Sequence, residues 1–217
     1  MTIPAALGSN LKLPVIAAPM FLVSGPELVI ATCRAGAIGT FPALNQRTTD
    51  GYAQWLDTIK AGLDPESAAF GVNLIVHKTN PRLKADLEVT ARHQVPLVIT
   101  SLGAVQEVVD AVNGYGGLVF HDVTTLAHAR KAADKGVDGL ILVCASGRPR
   151  RNPESLRLRA RSASILPWHD RLVGMPVDRS RCGGGDADGR GLRLHGYAIH
   201  QHQRESRHRR VPADDHR

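Results

Sequence analysis

Polar residues stand inside or at the end of several apolar runs in the first two-thirds of the chain. Asn73 lies within the run FGVNLI, and Thr100 and Ser101 close the run LVITS. His121 follows the run LVF. Amide, hydroxyl and imidazole groups can hydrogen-bond a bound organic molecule, and the carboxyl ends of parallel strands are where such molecules bind in many α/β folds. The chemistry that these residues can do therefore depends on whether the runs are strands of one parallel sheet.

Each of these residues also has a structural interpretation. The amide of Asn73 can be satisfied within the core, because a buried amide needs a partner of any kind. Thr100 and Ser101 have strand capping as their alternative role. A single histidine such as His121 is as often structural as functional. Residue type alone leaves both interpretations open.

The elements that would position these residues follow a regular alternation up to about residue 145. Short apolar runs alternate with amphipathic segments, which favours parallel strands joined by helices. The period is about 20 to 25 residues and predicts six strands and five helices by Cys144. A barrel and a doubly wound sheet would both show this alternation, so the period does not choose between them. The predicted strands cover residues 14–18, 38–41, 70–75, 97–100, 118–121 and 140–144, and the predicted helices cover 26–35, 50–61, 81–93, 104–112 and 124–135.

The composition changes abruptly after residue 146 and predicts two regions, 1–146 and 147–217. Residues 1–146 hold 11 Lys+Arg and 12 Asp+Glu, whereas residues 147–217 hold 16 Arg, no Lys and 8 Asp+Glu. Only 11 of these last 71 residues are Leu, Ile or Val, and none is Phe. This share lies below the roughly 20% at which chains stop burying enough apolar surface to fold. We therefore predict a disordered arginine-rich tail.

Two further interpretations of the tail remain. An arginine-rich arm can bind nucleic acid, but few aromatic residues are interleaved here for bases to stack on, which makes this partner a weak expectation. Arginine without lysine is also what GC-rich DNA yields when it is read in the wrong frame. A possible coding sequence for residues 146–159, read one base later, gives AGGHAGTLSPFAFV, and residues 189–217 similarly give GADFAYMGTRFINTSESRVTAEYRQMII. We therefore predict that the last third is translated out of frame.

Residues 10–145 resemble the nitronate monooxygenases, formerly called 2-nitropropane dioxygenases. The resemblance lies in LPVIAAPMFLVSGPELVIATCRAGAIGTFPA (13–43), FGVNLIVH (70–77), VPLVITSLG (95–103), GGLVFHDV (116–123) and GVDGLILVCA (136–145). The shifted strings supply the family motifs GGHAG and GADFAYMGTRF. The resemblance implies an incomplete (β/α)8 TIM barrel that binds FMN at the carboxyl ends of its strands. The implied reaction is oxidation of an alkyl nitronate by O2 to a carbonyl compound and nitrite.

The resemblance also assigns roles to particular residues. It places the backbone of Ala18, Pro19 and Met20 against the flavin ring, and it implies flavin contacts for four polar side chains. The family's catalytic histidine falls in a codon split between Pro149 and Arg150, so no catalytic residue is intact in this chain. The four side chains are Asn73, Thr100, Ser101 and His121.

These departures predict impaired function. Without strands seven and eight, strands one and six would keep unpaired edges and the phosphate site would be missing. We expect weak FMN binding and little activity, in a cytoplasmic protein whose partners are a small nitronate and O2, with no membrane span and no metal. An FMN-dependent quinone or enoyl reductase remains the alternative within the same group. An inactive fragment with a nucleic-acid-binding tail is the alternative from another class.

Overall fold

A computed structural model describes residues 7, 10–104, 106–143, 172–173 and 196–198. Eight strands and five α-helices lie in these residues. The six strands and five helices predicted up to residue 145 are confirmed, with ends that differ by at most two residues. The strands are β1 (Val15–Ala17), β2 (Gly39–Pro42), β3 (Phe70–Ile75), β4 (Leu97–Ser101), β5 (Leu118–Val123), β6 (Gly139–Leu142), β7 (Leu172–Val173) and β8 (Gly196–Ala198). The helices are α1 (Pro26–Arg34), α2 (Thr49–Gly62), α3 (Leu83–Arg92), α4 (Gln106–Asn113) and α5 (Leu126–Ala133).

The main sheet has its strands in chain order. It runs β2-β3-β4-β5-β6-β7, and every neighbouring pair is parallel. Strand β1 joins β2 through a parallel bridge between Ile16 and Ile38. Strand β8 lies antiparallel to β1. The carboxyl ends of β1 to β6 therefore lie along one edge of the sheet.

The packing of the sheet decides between the two folds that the alternation left open. Residues from all five α-helices share one apolar cluster with one face of the strands, whereas among the described residues the other face forms a cluster without residues of these helices. A doubly wound sheet carries helices on both faces, so the described residues form part of a (β/α)8-type barrel instead. We call the helix-free face the inner face; its cluster contains Leu7, Ile16, Ile38, Leu97, Ile99, Leu118, Phe120 and Ile141.

Helix ends follow the sequence signals at several positions but not at all of them. Pro26 begins α1, where its fixed φ suits the first turn, but Gly25 is the N-cap and makes no side-chain bond, so Ser24 does not cap this helix. The Ser24 hydroxyl instead accepts the N–H of Met20 at 3.0 Å. Beyond α5, Gly136 has a φ of 76°, which is the left-handed conformation expected of a glycine after a helix.

The prediction that strands one and six keep unpaired edges is wrong for the residues described. Leu140 and Ile141 of β6 pair with β7, and all three residues of β1 pair with β8. These partners come from the region predicted to be disordered. The physical reason is that the unpaired N–H and C=O groups of an edge strand can form hydrogen bonds with any extended backbone that lies beside them.

A buried charged group joins α2 to α3 in the helix layer. The Asp86 side chain is 1% exposed, and its Oδ1 accepts the Thr49 hydroxyl at 2.7 Å and Arg82 Nη2 at 3.0 Å. Arg82 Nη2 also lies 3.0 Å from Asp86 Oδ2. Arg82 Nη1 donates to the carbonyl of Gln46 at 2.5 Å, which ties the segment after β2 to the same group. This cluster positions the loops that leave the carboxyl ends of β2 and β3.

Cys33 is a core residue, and Cys144 and Cys182 lie outside the described residues. The Cys33 thiol is buried, accepts the N–H of Gly39 at 3.3 Å and lies 3.4 Å from the carbonyl of Ala69. Burial raises the pKa of this thiol to about 11, so the thiolate is disfavoured. Across the described part of the chain, no group of three or more His, Cys, Asp or Glu residues could hold a metal ion. Among those same residues, no helix has the length and apolar character needed to cross a bilayer.

Candidate functional site

A chain of three polar side chains crosses the carboxyl ends of β3, β4 and β5. Asn73 Nδ2 donates to Ser101 Oγ at 2.7 Å and to the carbonyl of Ile99 at 3.1 Å. The Ser101 hydroxyl donates in turn to Asp122 Oδ2 at 2.7 Å. We call Asn73, Ser101 and Asp122 the polar chain.

The polar chain lies on the inner face of the sheet. Successive side chains of a strand point to opposite faces, so residues two apart share a face. Ile99 and Phe120 belong to the inner apolar cluster, and Ser101 and Asp122 each follow one of them by two positions. The polar chain therefore lies next to the inner apolar cluster, toward the carboxyl ends of the strands, where parallel α/β folds bind ligands.

Thr100 and His121 lie on the opposite face, among the residues that meet the helices. They alternate with Ser101 and Asp122, and His121 shares its face with Val119 and Val123 of the helix-side cluster. Thr100 Oγ1 lies 2.8 Å from His121 Nδ1, and Thr100 Oγ1 also donates to the carbonyl of Phe120 at 3.3 Å. Burial lowers the pKa of His121. The structure thus brings Asn73 and Ser101 together but places the other two polar candidates on the far side of the sheet.

The backbone of Ala18, Pro19 and Met20 leaves β1 at the same edge and is held by side chains. Ala18 is buried, and the Met20 carbonyl accepts Asn45 Nδ2 at 3.1 Å. The same amide donates to the carbonyl of Ser24 at 2.9 Å and accepts the N–H of Leu22 at 3.0 Å. Asn45 therefore fixes the shape of this loop; sequence reasoning did not select it, and its place just after a predicted strand was the only available signal.

Exposed apolar side chains rim this edge of the sheet. Phe21, Leu22 and Val23 follow β1, Leu102 follows β4, and each is more than half exposed. Leu22 and Leu102 have φ angles of 60° and 63°, which leucine rarely adopts. Because such backbone costs free energy, the surrounding structure must hold these two residues in place, and for Leu22 the Asn45 side chain does so by accepting its N–H.

Asp122 is the member of the polar chain that sequence reasoning missed. Burial raises the pKa of its carboxyl group to about 6, and the hydrogen bond from Ser101 acts in the opposite direction. Asp122 Oδ1 is buried and has no hydrogen-bond partner within the described part of the chain. The signal was available in the sequence, since an acidic residue in the apolar run LVFHDV is as unusual as the amide of Asn73.

The raised pKa of Asp122 predicts a pH-dependent stability. The folded chain holds this proton up to about pH 6, whereas the unfolded chain releases it near the ordinary pKa of 3.8. Between these values the folded state binds more protons, so this group's stabilising effect is present below about pH 4 and lost as the pH rises through 6. At about 1.4 kcal/mol per pKa unit, the loss is up to about 3 kcal/mol.

The measurement is urea unfolding from pH 4 to pH 8, compared between the wild-type chain and Asp122→Asn. Taking the difference removes the contributions of His93 and His121, whose lowered pKa values act in the opposite direction. We expect the difference in unfolding free energy to change across this pH range. A constant difference would show that Asp122 titrates normally.

Some predicted site residues cannot be placed. Pro149 and Arg150, where the resemblance expects a histidine, lie outside the described residues. The geometry given above therefore concerns the part of the site formed by β1 to β5.

The chain matches no protein-family profile. It is similar to (3aS,4S,5R,7aS)-5-hydroxy-7a-methyl-1-oxo-octahydro-1H-indene-4-carboxyl-CoA dehydrogenase of Rhodococcus jostii (strain RHA1), with 28% identity over 179 residues, or 82% of this chain and 46% of the relative. That stretch is longer than the first 146 residues, so it extends into the arginine-rich region. The chain spans about half the length of the curated relatives it matches.

Two solved structures share the fold. A nitroalkane oxidase from Streptomyces ansochromogenes has a TM-score of 0.57 and 26% identity, over 64% of this chain and 48% of its own. The enoyl reductase domain of MlnA, from the macrolactin cluster of Bacillus amyloliquefaciens, has a TM-score of 0.63 and 14% identity, over 75% of this chain and 47% of its own. At that identity the second likeness concerns the fold alone. By name, all three similar proteins are oxidoreductases.

Proposed function

We propose that this chain carries the front part of an FMN-dependent nitronate monooxygenase. Such an enzyme oxidises an alkyl nitronate with O2 to a carbonyl compound and nitrite. The observation that carries the proposal is the polar chain beyond an apolar inner face, at the edge of the sheet where barrels bind ligands. The likeness to a nitroalkane oxidase supports the same substrate class.

The residues of the inner face fit the ring and ribityl chain of FMN. Both N–H bonds of the Asn73 amide are already used within the sheet, so its carbonyl oxygen is what it can offer to a ligand. An isoalloxazine ring and a ribityl chain carry N–H and O–H donors that match such an acceptor. Ala18, Pro19 and Met20 would contact the ring through their backbone.

Thr100 and His121 take a supporting role in this proposal. Their hydrogen bond on the helix side joins β4 to β5 directly behind Ser101 and Asp122. The pair therefore holds the two strands in register at the site, without reaching the inner face. This refines the expectation that both residues contact the cofactor.

When bound, FMN would supply the capacity to pass single electrons to oxygen. The protein itself would position the ligand. The inner apolar cluster excludes water from one side of the ligand, and Asn73, Ser101 and Asp122 orient its other side. Charged intermediates are stabilised more strongly at such a site than in water. In the present chain we propose that this function is impaired, because the family's histidine does not stand at Pro149 or Arg150.

An FMN-dependent enoyl or quinone reductase is the second candidate. An enoyl reductase domain shares the fold of this chain, and the fold suits either reaction. The described residues are compatible with either electron acceptor, since both reactions place a flat cofactor at the carboxyl ends of the strands. Consumption of a reduced nicotinamide cofactor without any nitronate would identify the reductase.

The proposed function predicts a loss of flavin affinity in Asn73→Leu. This change removes the amide from the inner face and leaves the hydrogen bond between Ser101 and Asp122 in place. We expect the Kd for FMN, measured by quenching of flavin fluorescence, to rise by about tenfold, which corresponds to about 1.4 kcal/mol. Nitrite release from propyl nitronate in air should fall with it.

Gln54→Leu is the matched control, because it also replaces a carboxamide side chain with leucine, at an exposed position of α2. It should bind FMN as the wild-type chain does. Equal affinities for both variants would remove Asn73 from the cofactor site. Nicotinamide consumption without nitrite release would exclude the monooxygenase and favour the reductase.

A further inference from the structure

The carboxyl group of Asp122 has one oxygen that the fold does not use. Its Oδ2 accepts the Ser101 hydroxyl at 2.7 Å, whereas Oδ1 is buried and has no partner within the described residues. A buried carboxylate oxygen without a donor costs free energy. In a native site such a group calls for an explanation, and a missing ligand is one.

The position of this oxygen points to a ligand on the inner face. Asp122 shares its face with Phe120 of the inner apolar cluster, and its backbone partner on β6 is Ile141 of the same cluster. Asn73 and Ser101 stand beside it on β3 and β4. A molecule held by the polar chain would therefore meet Asp122 Oδ1 as well.

We propose that Asp122 exchanges a proton with the α-carbon of the substrate, which is the carbon atom attached to its nitro or carbonyl group. In the forward step the ionised carboxylate takes the proton, the C–H bond breaks, and its electron pair moves onto the oxygen atoms of the nitro or carbonyl group. The products are the protonated Asp122 and a nitronate or enolate, and the reverse step returns the proton to carbon. No oxidant or reductant is consumed. This inference rests on the proposed function, since it assigns a substrate class to the same site.

The chemistry of the carboxyl group suits this step. A group that both takes and gives protons works best when its pKa lies near the working pH, and burial raises the pKa of Asp122 to about 6. The causes of this shift are burial and the Ser101 hydroxyl, with no charged group of a neighbouring element among them. The titratable His121 on the same strand faces the helix side, where His128 of α5 lowers its pKa further. Asp122 therefore titrates as a single group within its apolar surroundings.

The test measures deuterium uptake at the α-carbon of nitroethane in D2O by proton NMR, without oxygen, using the full chain. We expect the wild-type chain to speed exchange above the rate in buffer alone. Asp122→Asn should lower this enhancement by at least about 100-fold, the smaller end of the usual effect of an acid–base residue. Asp134→Asn makes the same change at an exposed position and should exchange at the wild-type rate.

Ser101→Ala supplies a readout that a purely structural role would not move. The Ser101 hydroxyl lowers the pKa of Asp122, so its removal should shift the pH midpoint of exchange upward. This variant also keeps the inference testable if Asp122→Asn does not fold, as judged by far-UV circular dichroism. An unchanged midpoint would overturn the inference, as would wild-type exchange no faster than in buffer or full exchange in Asp122→Asn.

The outcomes separate this inference from the proposed function. Exchange that depends on Asp122, without nitrite release in air, would support the proton transfer and reject the monooxygenase. Nitrite release from neutral nitroethane by Asp122→Asn at the wild-type rate would do the reverse.

Discussion

A gene from which one base is removed between the codons for Cys144 and Pro149 is expected to encode a yellow protein that binds FMN firmly. The physical reason is that the shifted frame, as predicted, would spell the motifs GGHAG and GADFAYMGTRF, which would supply the rest of the barrel wall and its phosphate site. Because the histidine of GGHAG would return, nitrite release should rise by about 10² to 10⁴ relative to the 217-residue chain. Flavin absorbance of the purified protein and nitrite assays measure the two effects.

The control is the repaired chain with alanine in place of that histidine. It should keep the flavin absorbance and lose most of the gain in rate, which separates folding of the barrel from acid–base catalysis. Stop codons in the alternative frame, or a repaired chain without flavin absorbance, would reject the frame change. The similarity to the dehydrogenase of Rhodococcus jostii already extends past residue 146, so this experiment also tests whether the arginine-rich region is native.

Asp86→Ala is expected to destabilise the chain by about 3–5 kcal/mol, as is usual when one partner of a buried ion pair is removed. The carboxylate is 1% exposed and receives both Arg82 and the Thr49 hydroxyl. Loss of this carboxylate leaves the mostly buried guanidinium of Arg82, which lies between α2 and α3, without its partner. Since domains are typically stable by only about 5–15 kcal/mol, urea unfolding should show a large shift of the midpoint.

Asp64→Ala is the matched control for this change. Asp64 forms an ion pair with Arg34 at 3.9 Å, but both side chains are more than half exposed. Solvent screens such a pair, so we expect little change in the unfolding midpoint. Similar midpoints for the two variants would show that the buried cluster contributes no more than a surface pair.

Most of the fold up to residue 143 could be predicted from the sequence. Apolar runs such as the one that contains Asn73 gave the strands, and Pro26 and Gly136 gave helix ends, because these signals depend on local backbone preferences. The serine before α1 shows where such signals stop, since the Ser24 hydroxyl bonds the N–H of Met20 and does not cap the helix. Local pattern does not say which of two nearby donors a hydroxyl will meet.

The candidate site was predictable only in part. The sequence by itself determined which residue types close the apolar runs, and it selected Asn73, Ser101, Thr100 and His121 alike. Only the tertiary structure placed the first two on the inner face and the last two against the helices, and it added Asp122. The physical reason is that the alternation of side chains along a strand sets which residues share a face, whereas the side on which the helices pack sets which face encloses a ligand. That side follows from contacts among all five helices, which no single segment encodes.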